Sequence, residues 1–530
     1  MLASSEVVLA VSRILQRSER QEDAEKLLHT YVDVGILPQL TNDNHQVIYG
    51  RRGTGKTHVL KVLEKQLGGI PTNTIVYIDA RTLGSSAQYL DQAVPIHLRC
   101  MSLFRDIVNS VQAQLLEHLV AHPSEKHELA FEALSQLGDA VMEQTRRVDR
   151  QVIIESLSNA SDKSSANAEV KLAAAPSMSF RASLGSDKNV GAKTIETYKV
   201  VPEEKVYFPQ IHAALSRVLD LGKTRLYILL DEWSSLPLDI QPYLSEFLKR
   251  GILPVLRVTL KIAALEHRSA FTVQREGQQA IGFEIGADIA TATDLDDYLV
   301  FDRNPAQIAA LYADMLYRHI NSELPPAYLV DKFGVADGSR LVARMFVDQS
   351  TFTELARASE GVVRDLINIF TAAFFDAQKR SRPTIDKRAV SQAARRWFEQ
   401  DKAAYLDDEL REVLRRIIDQ VIGQRHARSF LLPRELENHP IIQRLFDFRV
   451  LHQMQRGYAD KDNPGVRYNI YTLDYGTYVD LIGTKTGPQP DMIESEELDT
   501  IVPFDDKRSI RRIVLHADVL AFEKGSTVGA

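Results

Sequence analysis

The hydrophobic pattern of this chain switches between two periods. Short, mainly apolar runs read as buried strands: "QVIY" at 46–49, "RLYILL" at 225–230 and "VLRVTLKIAAL" at 255–265. Elsewhere the apolar positions recur every three or four residues, as in "KTHVLKVLEKQL", where Val59, Leu60, Val62 and Leu63 share one face of a predicted helix. Helical patterning also covers 101–120 and continues to about residue 148. Further on, "FTELARASEGVVRDLINIFTAAFFDA" (352–377) reads as two helices broken at Gly361, with Arg364 early in the second. Strands alternating with helices predict an α/β fold on a parallel sheet.

Two stretches break this pattern. From residue 156 the composition shifts to Ser, Ala, Asn and Lys, and in "VKLAAAPSMSFRASL" (170–184) the larger apolar residues fall on alternate positions. Period two predicts a β-hairpin near 168–186 that turns around Pro176, with one apolar and one polar face. It packs on its own domain, meets an oligomeric or protein partner, or, as a third reading, contributes to a pore. The second stretch is C-terminal. An amphipathic helix at 408–423 precedes a strand, two helices, a strand, a wing at "ADKDNPGV" and a returning strand over 429–483, the order of a winged helix.

At 530 residues the chain needs two or three cores. Its 44% hydrophobic and 25% charged residues are ordinary for a folded soluble protein, and exclude collagen-like and disordered classes. A net charge of -7 gives no overall pull toward nucleic acid, so such binding would have to be local. The single cysteine, Cys100, reads as a small buried hydrophobe. The first residues have no basic segment before their apolar run, and no window reaches the length of a membrane span. A cytoplasmic protein with no membrane contact is therefore expected.

Chemistry enters at Gly50, Arg51, Arg52, Gly53, Thr54, Gly55, Lys56 and Thr57, which fit G-x-x-x-x-G-K-[ST] between a strand and a helix. Glycines let the backbone curl so that amides and the helix N-terminus face phosphates. Lys56 then reaches the β and γ phosphates, Thr57 takes a place on Mg²⁺, and the next residue, His58, completes the nucleotide-contacting set. At the end of the 225–230 strand, Asp231 would hold the Mg²⁺ water shell and Glu232 would polarise an attacking water. The bland alternatives are a chance glycine loop and an acidic helix cap. The chain has neither N-K-x-D nor L-S-G-G-Q, which favours ATP over guanine nucleotides and over transporter-type ATPases.

Gly361 and Arg364, as a Gly-x-x-Arg opening a helix behind an Asp-Glu P-loop core, resemble the sensor-2 arginine of AAA+ ATPases, which reaches over the γ phosphate from a lid. The likeness is most specific to the origin-recognition-complex-like initiator clade and its prokaryotic members. It covers "YVDVGIL" (31–37), "VIYGRRGTGKT", "IVYIDAR" (75–81), "YILLDEWSSLP" (227–237), "EGVVRDLINI" (360–369) and the winged-helix-like C-terminal part.

The resemblance implies a P-loop parallel sheet sandwiched by helices, then a helical lid and a winged helix. The corresponding boundaries are N-terminal helices at 1–30, an AAA+ core at 31–300 with an insertion at about 101–205, a lid at 301–403, a winged helix at 404–485 and a tail at 486–530. It also implies an ATP-Mg-dependent ATPase that acts as a switch, with duplex DNA, a homo-oligomer or a protein partner.

A sensor-1 residue should follow the 255–265 strand. Glu266, His267 and Arg268 stand there, and His267 is the candidate γ-phosphate sensor or else a solvated loop histidine. Arg268, Arg275 and Arg303 are the candidate arginine fingers, and Arg444, Arg449, Lys461 and Arg467 the candidate DNA phosphate contacts. Lys507, Arg508, Arg511 and Arg512 add a basic tail segment. Asp447, Asp460 and Asp462 dilute the positive charge, so the winged helix reads equally as a protein-binding module.

Overall fold

The computed structural model describes residues 1–14, 21, 23–84, 87–123, 125–142, 144–156, 192–204, 206–277, 279–424, 427–459, 465–482 and 513–521. They fall into two compact units, one of residues 1–82, 225–245 and 258–530, the other of 83–224 and 246–257.

The first unit opens with α1 (Ser5–Arg13), α2 (Ala24–Thr30), α3 (Leu37–Leu40), β1 (Gln46–Tyr49), α4 (Lys56–Gly68) and β2 (Asn73–Asp79). The second unit holds α5 (Ile96–Ala121), α6 (His127–Met142), β3 (Gln144–Ser156), β4 (Ala192–Glu204) and α7 (Phe208–Leu221). The rings of Phe104, Phe208 and Phe247 meet edge-on there, with centroids 5.3 to 6.0 Å apart. β3 and β4 pair antiparallel from Gln144↔Glu204 to Ser156↔Ala192. The helix expected to reach about 148 therefore stops at Met142. The next residues, with Thr145, Val148, Val152, Ile153 and Ile154, are rich in β-branched side chains that prefer a strand.

The chain returns to the first unit with β5 (Arg225–Asp231), α8 (Gln241–Gly251, up to Ser245 in this unit), β6 (Val258–Ala263), β7 (Thr272–Val273), β8 (Ile281–Gly282), β9 (Thr291–Asp294) and α9 (Asp296–Leu299). A five-stranded sheet of order β2-β5-β6-β1-β9 forms, every neighbour parallel. β5 and β6 are buried almost throughout, which is why they read as mainly apolar runs, with Thr259 and Lys261 the polar members of β6. The pairs Asp79↔Asp231, Leu230↔Ile262, Ile48↔Ala263 and Tyr49↔Asp294 align the strand ends. The glycine loop after β1 and the acids after β5 thus emerge on one sheet edge, where open α/β sheets bind ligands. Val59, Leu60, Val62, Leu63 and Leu67 of α4 cover Ile48, Tyr227, Leu229 and Ala263.

Helices α10 (Pro305–Asn321), α11 (Tyr328–Phe333), α12 (Gly338–Met345), α13 (Gln349–Ala358), α14 (Val363–Lys379) and α15 (Lys387–Trp397) follow. Then come α16 (Asp408–Ile418), β10 (Ser429–Pro433), α17 (Pro440–Asp447), β11 (Leu451–Ala459), β12 (Arg467–Leu473) and α18 (Tyr475–Ile482). The last three strands make an antiparallel sheet of order β10-β12-β11. A 3-10 turn at Arg434–Leu436 and the single helix α17 stand where the sequence predicts two helices. One apolar core runs through α1, α10 to α17 and this sheet, joining Val7, Tyr312, Phe370, Val390, Leu410, Ile442 and Tyr471.

The expected hairpin at 168–186, the wing residues 460–464 with Lys461, and the tail positions Lys507, Arg508, Arg511 and Arg512 lie outside the described residues. Among the described residues no helix is long and apolar enough to cross a membrane.

One buried charge braces the sheet. Lys261 on β6 donates to the carbonyls of Asn42 and Asn44 at 2.9 and 2.8 Å and to Gln46 Oε1, so it fixes the approach to β1. Lys261→Met leaves Gln46 Oε1 buried and unmatched and removes two part-buried contacts, and should cost about 2 kcal/mol. Denaturant unfolding checks this, and an unchanged midpoint refutes the bracing role.

Candidate functional site

The loop after β1 takes its shape from three glycines with positive φ: Gly50 (156°), Gly53 (90°) and Gly55 (103°). They serve different ends. A Cβ on Gly53 would sit 2.7 Å from Cβ of Arg364, because the start of α14 lies against the loop, and the Arg364 amide donates to the Gly53 carbonyl at 3.0 Å. A Cβ on Gly55 would meet nothing within 4 Å. Gly55 thus opens space just ahead of the N-terminus of α4, where unpaired amides favour an anion. Lys56 folds over the loop and donates to the carbonyls of Gly50 and Arg51 at 2.7 and 3.0 Å, while burial lowers its pKa. Thr54 Oγ1 also donates to the Arg51 carbonyl, at 2.9 Å.

A cavity of about 370 Å³ lies over this loop, a size suited to a small-molecule ligand. Arg52, Gly53, Gly55, Lys56, Thr57, His58, Glu232 and Arg364 line it, so much of the predicted set is brought together. Glu232 has a left-handed backbone (φ 54°), a strained conformation for a residue with a side chain and one that recurs at functional sites. Its amide donates to Asp231 Oδ1 at 2.8 Å, and Tyr77 donates to Asp231 Oδ2 at 2.8 Å. Asp231, 1% exposed, stands behind Glu232 and outside the cavity lining.

The far wall of the cavity was missed by sequence reasoning. Lys26 and Thr30 of α2, His319 of α10 and Glu323 just after it face the cavity, with Lys26 and Glu323 paired. His58 Nε2 donates to the Leu27 carbonyl at 2.8 Å and so ties α2 to α4. Burial, then the neighbouring His58 and Lys26, holds His319 neutral with its pKa down to about 3. No local pattern marks these residues, because only the tertiary approach of α2 and α10 brings them to the loop.

Other predicted residues sit elsewhere. His267 does not line the cavity: its ring stands edge-on to Phe446 at 5.0 Å, which argues against a γ-phosphate sensor. Its neighbours turn the same way, Glu266 to Arg456 and Arg268 to Asp447. Arg275 donates to Tyr243, and Arg303 pairs with Asp297 at 3.1 Å. The Arg51 side chain, 5% exposed, leaves the cavity for Asp296, the Glu360 carbonyl and His452, so this residue could serve a phosphate through its main chain alone. Arg449, expected on DNA, is buried between Asp365 and Asp401. Arg444 pairs with Asp407 and Glu409, while Arg467 is exposed.

Residues 17–67, which contain α2, the loop and α4 up to its last residue but one, match the ORC-CDC6-like family model. Over this segment the chain resembles that family. No curated protein sequence matches it significantly. Among solved structures, Cdc6p from Pyrobaculum aerophilum is 12% identical over 90% of this chain and 96% of its own, with a TM-score of 0.33. Aeropyrum pernix ORC1 in complex with DNA is 12% identical over 89% and 95%, with a TM-score of 0.32. Thermotoga maritima RuvB is 11% identical over 74% of each chain, at 0.28. Likenesses this faint say nothing of what the present chain binds.

The two glycines give a comparative test. Gly53→Ala must displace Arg364 as well as strain the backbone, and should cost about 3 kcal/mol, whereas Gly55→Ala carries the strain alone, about 1 kcal/mol. Thermal melting of both variants reads the difference; equal losses would mean that α14 does not press on the loop.

Proposed function

We propose that the protein is an ATP-binding, ATP-hydrolysing switch of the AAA+ kind, with a core at 31–300, a helical lid at 301–403 and a winged-helix part at 404–485. One observation carries the reading: Lys56, Thr57, Glu232 and Arg364 line a single cavity over a glycine loop that leaves room at a helix N-terminus. These residues fit a triphosphate. Lys56 rests on two neutral carbonyls, which an anionic oxygen would outcompete. Thr57 would hold Mg²⁺ directly and Asp231 would act on its water shell; when bound, the ion neutralises charge on the phosphate oxygens. Glu232 would orient and deprotonate the attacking water, and the Arg364 guanidinium would stabilise charge at the terminal phosphate.

For the C-terminal part, duplex DNA is the first reading, supported by the order β10, α17, β11, β12 and by the exposed Arg467. The second is an assembly or signalling ATPase whose winged helix and insertion bind protein. It is favoured by α17, whose Phe446 and Asp447 are engaged by His267 and Arg268, and by the antiparallel β3–β4 pair, since a two-stranded ribbon gains stability from a partner surface. A finger drawn from Arg268 or Arg303 would first have to leave its own ion pair.

Lys56→Ala should abolish ATP binding in a calorimetric titration, while Glu232→Gln should keep ATP bound and slow turnover by about a hundredfold or more. Full ATP affinity in Lys56→Ala, or wild-type turnover in Glu232→Gln, would refute the site assignment. For the two C-terminal readings, Arg467→Glu should weaken salt-sensitive retention of duplex DNA. If DNA is not retained even at low salt, the protein-partner reading stands, and deletion of 156–200 should then lower the assembly mass in light scattering.

A further inference from the structure

We infer that His452, on strand β11, is a positioning residue for the phosphate loop and acts on it through Arg51; the inference rests on the nucleotide reading above. Arg51 belongs to the loop by sequence, yet its side chain points away from the cavity, so it must serve something other than phosphate. A guanidinium can only donate hydrogen bonds. Arg51 Nε donates to Asp296 Oδ2 at 3.1 Å, one terminal nitrogen to the Glu360 carbonyl at 2.9 Å, and the other meets Nδ1 of His452, 401 positions away in the chain.

That last contact fixes a tautomer. Nδ1 has to accept, so the imidazole proton sits on Nε2, which donates to Asp474 Oδ2 at 2.9 Å. Burial, and next the Arg51 charge, push the His452 pKa down to about 3, in keeping with the neutral ring that the bridge requires. Asp474 is itself held by Lys402 at 2.5 Å, so the ring is fixed at its far nitrogen as well.

The near end of this chain of contacts is the loop backbone. The Arg51 amide donates at 2.9 Å to the same Asp296 oxygen that takes Nε, so one carboxylate oxygen sets both main chain and side chain. The Arg51 carbonyl is one of the two acceptors that hold Lys56. A shift of His452 therefore moves the guanidinium, and with it the peptide unit that presents Lys56. Phosphate recognition by main-chain amides depends on such fixed geometry.

The test compares the full chain with His452→Leu, His452→Gln, Arg51→Met and Lys56→Ala, each titrated calorimetrically with Mg-ATP and Mg-ADP. His452→Leu and Arg51→Met should weaken both nucleotides by about tenfold, and His452→Gln, whose amide oxygen can accept from Arg51, should recover most of the loss. Amide exchange of residues 451–456 should slow when Mg-ADP binds the wild type and not respond in His452→Leu. A role confined to packing would lower the melting temperature without either change. Wild-type affinity in Arg51→Met, or in a folded His452→Leu, overturns the inference provided Lys56→Ala has lost binding; should Lys56→Ala bind fully, the nucleotide reading falls and takes the inference with it.

Discussion

The hydrogen bond from the Arg364 amide to the Gly53 carbonyl, made where no methyl group fits between the two residues, is the contact on which the site depends. A parallel sheet alone would deliver a glycine loop and a pair of acids to one edge and leave them open. α14 approaches so closely because Glu360 (φ 50°) and Gly361 (φ 79°) both adopt left-handed backbone, turning the chain so that the helix starts on the loop. A Cβ on Gly361 would in turn lie 2.7 Å from the Leu299 carbonyl. Three segments, 50–55, the end of α9 and 360–364, thus meet on glycine, and a guanidinium is delivered to a cavity whose floor is main chain.

What the sequence makes legible here is what local chemistry dictates. The strand, loop and helix around Lys56 are readable because glycine at positive φ and a lysine after it serve a purpose that regular structure does not. Asp231 and Glu232 are readable because an unbroken apolar run ending in two acids is costly to place anywhere but at the edge of a buried sheet. The turn at 266–268 is harder to read for the opposite reason. Its residues have the right chemistry for a phosphate sensor, but Arg456, Phe446 and Asp447 compete for them from far along the chain. Arg449 is the same case reversed: a basic residue near a predicted recognition helix, claimed by Asp365 and Asp401. No periodicity encodes such pairings.

The buried charges then decide which parts can move together. Asp365, the residue after Arg364, is fully buried and pairs with Lys402 and Arg449; Asp474 pairs with Lys402 and His452; Arg428 pairs with Glu360. A buried pair contributes little net stability, but losing one partner strands a charge in a poor solvent, so such a group of residues separates as a whole or not at all. The start of α14 is therefore tied by buried ion pairs to Lys402, after α15, and to Arg449, just ahead of β11, while its amide at Arg364 meets the glycine loop.

Arg51 is the exception to that division, since it reaches both sides. Toward the parallel sheet its amide and Nε share an oxygen of Asp296, at the head of α9; toward α14 and the C-terminal sheet it holds the Glu360 carbonyl and His452. The ionic contact is on the parallel-sheet side, while the acceptors on the other side are a carbonyl and a neutral imidazole. Charge-assisted bonds to a carboxylate are the stronger of the two kinds. Any separation of α14 from the loop would then break the bonds to the Glu360 carbonyl and His452 before those to Asp296, and leave the guanidinium with the parallel sheet.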